Sequence, residues 1–261
     1  MLNIIKAQNR QFLKDRFTWY TLFVGFVFPI LIIILNSGSG FDALSGSAGV
    51  PALAEISAFI LPMVLLIFTS RTCGWDSADK TINYEVLSGH TRKEIYMGRV
   101  VVNAFWSWLA SFCIMAFPVF VISAVNGWGV SMSLRDALFR MLLVMLVMFR
   151  LLGEFVLLTV LLGDCYKAMV FGLPFYNVSI IGAMMIHELT EIKAESLLAS
   201  AGMMRLADFS RYSLQYIGGE DVCVYDAALP VSLALDLAVS SLAAGAVCLL
   251  LGYIIFRKRD L

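Results

Sequence analysis

Ionisable side chains inside apolar runs are the first residues of this chain that could do chemistry. Arg150 and Glu154 lie four residues apart within the run 134–162, and Asp236 lies within the run 229–256. A charge at the centre of a bilayer costs roughly 2.5–3.5 kcal/mol, so these groups should face protein or water rather than lipid. Two interpretations are open. Arg150 and Glu154 could form an ion pair that locks one helix against its neighbours, or the three groups could mark a pathway for ions or substrate. Local cancellation of charge favours the first.

Familiar catalytic motifs are absent from the sequence. His187 and Glu188 begin the run HELTE, which lacks the second histidine of HExxH, and the chain has only 2 histidines in all. No G-x-x-x-x-G-K-[ST] loop is present, and that loop is how a P-loop ATPase cradles phosphate. We therefore predict no catalytic residue, no metal site and no nucleotide site in this chain.

The composition is that of a membrane protein. Hydrophobic residues make up 60% of the chain and charged residues 15%, against about 25% charged in soluble domains. A transmembrane helix needs about 20 apolar residues, and the runs of this kind are 17–36, 53–73, 100–125, 134–162, 167–187 and 229–256. Because the runs are continuous rather than alternating, helices are favoured over a closed barrel. The sequence predicts an all-α integral membrane protein with six transmembrane helices in one domain, 1–261.

The distribution of lysine and arginine predicts the orientation of the six helices. With both termini in the cytoplasm, thirteen basic residues fall on the cytoplasmic side and five on the other, as the positive-inside rule requires. Residues 1–16 then form an interfacial helix with Ile5, Phe12 and Leu13 on one face. The stretch 188–228 becomes an extracellular segment.

The polar stretch 76–99 is predicted to be the part of the chain that meets a soluble partner. It holds eight charged side chains in 24 residues and connects the second span to the third. Its pattern predicts an amphipathic helix, a turn and a second helix. We expect the membrane-facing residues to be Ile82, Val86 and Leu87. The more available ones are Lys80, Asn83 and Glu85.

Ten residues of this stretch carry a family resemblance: Asp79, Thr81, Ile82, Tyr84, Leu87, Gly89, Arg92, Ile95, Tyr96 and Arg99. In this pattern the stretch resembles the cytoplasmic coupling segment of bacterial ATP-binding-cassette (ABC) exporter permeases. There an acidic residue and a threonine precede a coupling helix, a glycine turn follows, and an arginine opens the third span. The resemblance extends to the chain length, the six spans, the long outer segment before the last span and the short basic C-terminal tail.

The resemblance implies a permease subunit in the bacterial cytoplasmic membrane, paired with a second permease, identical or homologous, and with two separate ABC ATPase subunits. ATP and Mg²⁺ would be bound by those ATPases and no cofactor by this chain. The residues that would couple to the ATPase are Asp79, Lys80, Thr81, Asn83, Tyr84, Glu85, Leu87, Gly89 and Arg92.

The resemblance also implies a translocation path between the two permeases. Residues that could line it are Phe26, Phe59, Met63, Phe171, Phe175 and Tyr176. Large aromatic and methionine side chains suit an amphipathic cargo such as a peptide, a bacteriocin or a drug, and no nucleic acid is implied. Export would proceed by alternating access.

Three alternatives stay open. An ion-coupled secondary transporter or channel would use Arg150, Glu154 and Asp236 and would need no ATPase. An intramembrane enzyme would need catalytic groups clustered at one depth, and the sequence offers only scattered ones. A structural assembly factor would leave the stretch 76–99 unexplained.

Overall fold

The computed structural model describes residues 2–36, 45–78, 82–189, 197–217 and 220–258. Six of its helices are long and apolar enough to cross a membrane, which confirms the prediction of six apolar helices of transmembrane length. The elements in chain order are α1 (Leu2–Lys14), α2 (Arg16–Asn36), α3 (Gly46–Ala78), α4 (Ile82–Leu87), α5 (Arg92–Asn126), α6 (Leu134–Leu162), α7 (Cys165–Leu189), α8 (Ala199–Ala207), β1 (Tyr212–Ile217), β2 (Glu220–Tyr225) and α9 (Val231–Lys258).

Two membrane helices begin about two turns before their apolar runs. Helix α3 begins at Gly46 rather than at 53, and α5 begins at Arg92 rather than at 100. The start of α5 is fixed by a capping box, in which the Thr91 side chain accepts from the Glu94 backbone and the Glu94 carboxylate accepts from the Thr91 backbone. Because the cap precedes the apolar run by two turns, α5 is one continuous helix whose first two turns are polar and whose remainder is apolar.

Close packing of α6 against α9 depends on glycine. A Cβ atom on Gly153 would lie 2.6 Å from the backbone oxygen of Gly245. Small residues at such a contact let two membrane helices approach closely, which gains van der Waals packing that lipid cannot replace. The core beside this contact includes the fully buried residues Met148 and Leu152 of α6.

A short polar ladder joins α3 to α5 inside the bundle. The Asn103 amide nitrogen donates to Thr69 Oγ1 at 2.9 Å, and the Ser107 hydroxyl donates to Asn103 Oδ1 at 3.1 Å. All three side chains are buried. Such bonds fix the rotation of the two helices, because a misplaced amide would lose its partners within an apolar interior.

Helix α1 packs on the bundle with a face that includes Phe12, as predicted, but not Leu13. Its buried residues are Ile4, Gln8 and Phe12, which the four-residue spacing places on one stripe. Leu13, predicted to lie on the apolar face with Ile5, is 38% exposed. Helix α5 determines which face of α1 is buried. A Cβ on Gly98 of α5 would lie 2.8 Å from Ile4 Cγ2, so the absence of a side chain at Gly98 leaves space for Ile4.

The far end of α1 is held by aromatic contacts. The Phe12 ring lies edge-on to Phe68 of α3 at 4.9 Å and stacks on Trp106 of α5 at 5.3 Å. The Trp106 indole N–H donates to Asn9 Oδ1 at 2.6 Å. Helix α1 is therefore attached along its length to α3 and α5.

The predicted extracellular segment 188–228 contains a helix that packs within the bundle. Seven residues of α8 are buried, and Ser200 in its first turn hydrogen bonds through its hydroxyl to that of Ser179, in the middle of α7, at 2.7 Å. After α8 the strands β1 and β2 form an antiparallel hairpin with Tyr212 opposite Tyr225. Which side of the membrane this segment faces stays a prediction.

Candidate functional site

The corner between α4 and α5 has the predicted helix–turn–helix form. Helix α4 ends with backbone bonds from Ser88 N–H to the Tyr84 carbonyl (2.9 Å) and from Gly89 N–H to the Val86 carbonyl (3.0 Å). Gly89 has φ +91°, a conformation that costs little for glycine and strains other residues. His90 follows, and Thr91 then begins the capping box of α5.

Glu85 was expected to be available to a partner, but it is an internal residue of this corner. Its Oε2 accepts a bond from Arg99 Nη2 at 2.9 Å, and its Oε1 accepts from Gln8 Nε2 at 3.4 Å. The Arg99 side chain is only 2% exposed and that of Glu85 28% exposed. A buried guanidinium requires a nearby anion, and this requirement turns Glu85 inward. The carboxylate thereby ties α4 to both α5 and α1.

Among the described side chains of α4, the exposed ones are apolar. Tyr84 and Leu87 are 73% and 81% exposed, and their three-residue spacing places them side by side on the helix. Val86 packs against the main core. Val86 is thus turned toward the protein core and Leu87 away from it, and the expected membrane-facing position of Leu87 stays a prediction. An exposed apolar pair beside a polar turn is a feature that interaction surfaces commonly show.

The structure describes only some of the remaining predicted coupling residues. Arg92 Nη1 donates to the Arg257 carbonyl at 2.6 Å, so the start of α5 is joined to the C-terminal end of α9. Asn83 lies within α4. Asp79, Lys80 and Thr81 lie outside the described residues.

The predicted intramembrane ion pair is confirmed. Arg150 Nε donates to Glu154 Oε1 at 2.9 Å on the buried side of α6. Arg150 Nη2 also donates to the Leu197 carbonyl, directly before α8. The pair therefore holds the N-terminal end of α8 in the middle of the bundle, which is the locking role that its spacing suggested.

Asp236, the third predicted intramembrane ionisable residue, does not lie beside this ion pair. Gly245 of α9 lies against Arg150, since a Cβ on the glycine would be 3.1 Å from Arg150 Cα. Asp236 precedes Gly245 by nine residues on the same helix, which is about 13 Å along its axis. The three groups therefore do not form one cluster.

Two of the six residues predicted to line a path are part of the packed interior. Tyr176 is 3% exposed, and its hydroxyl donates to the Ala58 carbonyl at 2.7 Å. Phe26 is half-buried and meets Phe117 edge-on at 6.1 Å. Tyr176 therefore joins α7 to α3, and Phe26 joins α2 to α5.

The other four predicted path residues are exposed in two pairs. Phe59 and Met63 of α3 are 53% and 48% exposed, and Phe171 and Phe175 of α7 are 57% and 51% exposed. Because Tyr176 bonds to Ala58, Phe175 and Phe59 stand at the same height on two neighbouring helices. Each pair has the four-residue spacing of one helix face.

One organising residue, Arg140 of α6, was not singled out from the sequence. Its side chain is 6% exposed. Nε donates to the Ala227 carbonyl at 2.9 Å, and Nη1 donates to the carbonyls of Leu206 and Asp208 at 3.1 and 3.0 Å. The guanidinium also lies over the Phe209 ring, 4.2 Å from its centre. Its position two turns inside an apolar run was the signal that could have indicated a special role.

Asp208 follows α8 and is held in its ionised form. Hydrogen bonds from Ser210, whose backbone N–H lies 3.0 Å from Oδ1, lower the pKa of this carboxyl, and the Arg205 guanidinium at 2.8 Å lowers it further. Partial burial opposes these effects without reversing them. The negative charge of Asp208 therefore persists well into the acid range.

No protein-family model matches the chain, and a search of curated proteins finds no match either.

Proposed function

We propose that this chain is the membrane-spanning permease subunit of an ABC exporter. It would pair with a second permease and with two ATPase subunits that bind ATP and Mg²⁺, and it would move an amphipathic cargo out of a bacterial cell by alternating access. The observation that supports this proposal is the corner of α4 and α5. There the exposed apolar residues Tyr84 and Leu87 lie on a helix that Glu85 bonds to α5 and α1.

The bonds of this corner support a mechanical role. A motor outside the membrane can move the spans only through a connection that does not yield. Glu85 joins α4 to Arg99 of α5, two turns into that helix, and to Gln8 of α1. Helix α5 is continuous from Arg92 to Asn126. A displacement of α4 would therefore pass directly into a membrane-spanning rod and into α1.

The exposed pair supports a docking role. Tyr84 and Leu87 project from the corner while the charged Glu85 is turned inward. Protein interfaces are enriched in aromatic anchors and depleted of charge at their centre. We assign these two side chains to the contact with the ATPase, and Glu85 to the positioning of that contact.

The cargo assignment is supported by the paired exposed residues of α3 and α7. If a second permease faces these helices, Phe59, Met63, Phe171 and Phe175 would line the space between the two subunits. Such side chains accept amphipathic molecules because they are large, apolar and, for methionine, adaptable. The ion-coupled alternative has less support, because Arg150 serves to hold α8 and Asp236 lies apart from it.

Co-purification with the candidate ATPase tests the proposal. The intact chain in detergent should retain its candidate ABC ATPase, and Leu87→Arg should abolish retention because a charge would enter an apolar contact. Tyr216→Arg is the matched control, since Tyr216 is 76% exposed on the β hairpin. Retention by neither wild type nor control, or equal retention by all three, would refute the proposal.

A further inference from the structure

An apolar cavity lies at the hairpin end of the bundle. It encloses about 440 Å³ between α3, α5, α6 and α8, with Leu53, Val119 and Val144 among its walls. Phe120 and Leu138 also line it and are 69% and 56% exposed. These two residues lie on membrane-spanning helices, so the cavity opens toward the space that lipid chains occupy around the protein. Its size is within the range of pockets that bind small ligands, about 300–1,000 Å³.

A smaller polar pocket lies beside it. It encloses about 160 Å³ and is lined by Arg140, Arg205, Arg211, Asp208 and Asp226. The three guanidinium groups outnumber the two carboxylates, which leaves one net positive charge. The Asp208 charge is engaged with Arg205 at 2.8 Å. The pocket therefore favours an anion over a cation or a neutral group.

Arg140 lines both pockets. Its hydrogen-bond acceptors are three neutral carbonyl groups, and it forms no ion pair with any carboxylate in the part of the chain that the structure describes. Burial of a charge is costly unless an opposite charge accompanies it. The carboxylates of Asp208, Asp136 and Asp226 act on the guanidinium electrostatically without forming an ion pair with it, and an anion in the neighbouring pocket would add an opposite charge in direct contact.

We propose that the two pockets together bind one anionic phospholipid from the leaflet on the hairpin side. Its phosphate lies in the polar pocket near Arg140 and Arg211, and one acyl chain lies in the apolar cavity. A membrane phospholipid is the occupant because the cavity opens toward lipid and the adjoining pocket carries positive charge, and guanidinium groups form strong charge-assisted hydrogen bonds with phosphate. This inference does not depend on the transport proposal, because it concerns the opposite end of the bundle from α4.

Native mass spectrometry of the full chain tests the headgroup contact. The protein is released from nanodiscs that contain equal amounts of phosphatidylglycerol and phosphatidylcholine. Wild type should retain phosphatidylglycerol in preference, and Arg211→Gln should reduce that preference roughly tenfold, which corresponds to one charge-assisted hydrogen bond. Arg135→Gln is the matched control, because Arg135 is an exposed arginine at the same end of α6 that lines neither pocket.

A second pair of variants tests the chain contact. Ala137→Phe would fill the apolar cavity that Ala137 lines, and it should remove the bound lipid. Leu142→Phe adds a ring at a residue that is 58% exposed and lines no part of the cavity, and it should retain the lipid. Equal retention of the two lipids by wild type, equal behaviour of Arg211→Gln and Arg135→Gln, or full lipid retention by a folded Ala137→Phe would each overturn the proposal.

Discussion

Replacement of Arg140 by methionine should open the structure around α8 and the hairpin while leaving the spans folded. The substitution removes the donor to three carbonyls, those of Leu206, Asp208 and Ala227. Each buried polar group left without a partner costs about 1–3 kcal/mol, which gives roughly 3–9 kcal/mol at most. Removal of a buried cation recovers several kcal/mol of desolvation. If about 3 kcal/mol is recovered from the mid-range loss of about 6 kcal/mol, a net local loss of about 3 kcal/mol is expected.

Cysteine accessibility measures this loss where it occurs. Ala227 is 4% exposed, so Ala227→Cys, in a background with Cys223→Ser, should react slowly with a membrane-impermeant maleimide. A loss of about 2 kcal/mol raises the open population roughly 30-fold, so Arg140→Met should accelerate labelling by at least that factor. Arg135→Met is the control and should not change the rate. Unchanged labelling in Arg140→Met would refute the role assigned to the guanidinium.

Three further variants test the packing, the polar ladder and the acid stability. Gly153→Ala should lower the melting temperature in detergent through a loss of about 1–3 kcal/mol, because its Cβ would lie 2.6 Å from the Gly245 oxygen; Gly182→Ala, whose Cβ would meet nothing within 4 Å, should not. Asn103→Leu should cost about 0.6–1.7 kcal/mol in the same assay, and a neutral result would remove the ladder from the account. The folded pKa of Asp208 is depressed, so its stabilisation is present above the unfolded pKa of about 3.9 and is lost as the pH falls through the folded value. Asp208→Asn should therefore melt below wild type at neutral pH, and a gap that persists in strong acid would contradict this assignment.

The spans and the intramembrane ion pair were predictable because both depend on residues close in sequence. A continuous apolar run defines a membrane helix whatever its neighbours are. Arg150 and Glu154 meet because a helix places residues four apart side by side. The turn at Gly89 was predictable for the same local reason.

The inward position of Glu85 was not predictable, because its partners lie outside its helix. Gln8 is 77 residues away and Arg99 is 14 away, across the turn. From the sequence alone, a carboxylate on a short polar helix is equally compatible with exposure to solvent and with pairing to a buried guanidinium. Only the packing of α1 and α5 decides between them.

Helix α8 and the role of Arg140 depend on contacts still more distant in sequence. The nine residues of α8 are too few to suggest a span, and they lie in a segment whose polarity indicated an outer loop. The carbonyls that Arg140 binds follow it by 66 to 87 residues. Backbone acceptors carry no signature in side-chain sequence, so such a site becomes visible only in three dimensions.

The most direct test of the central claim is photo-crosslinking from the exposed face of α4 to the ATPase. With p-benzoylphenylalanine at position 87, irradiation of membranes that contain this chain and its candidate ATPase should give a covalent adduct of the two proteins. The same residue at position 216, on the hairpin, should give none. An adduct from position 87 alone is the predicted result. No ATPase adduct from position 87, in membranes where both proteins are present and folded, would contradict the assignment of α4 as the coupling helix.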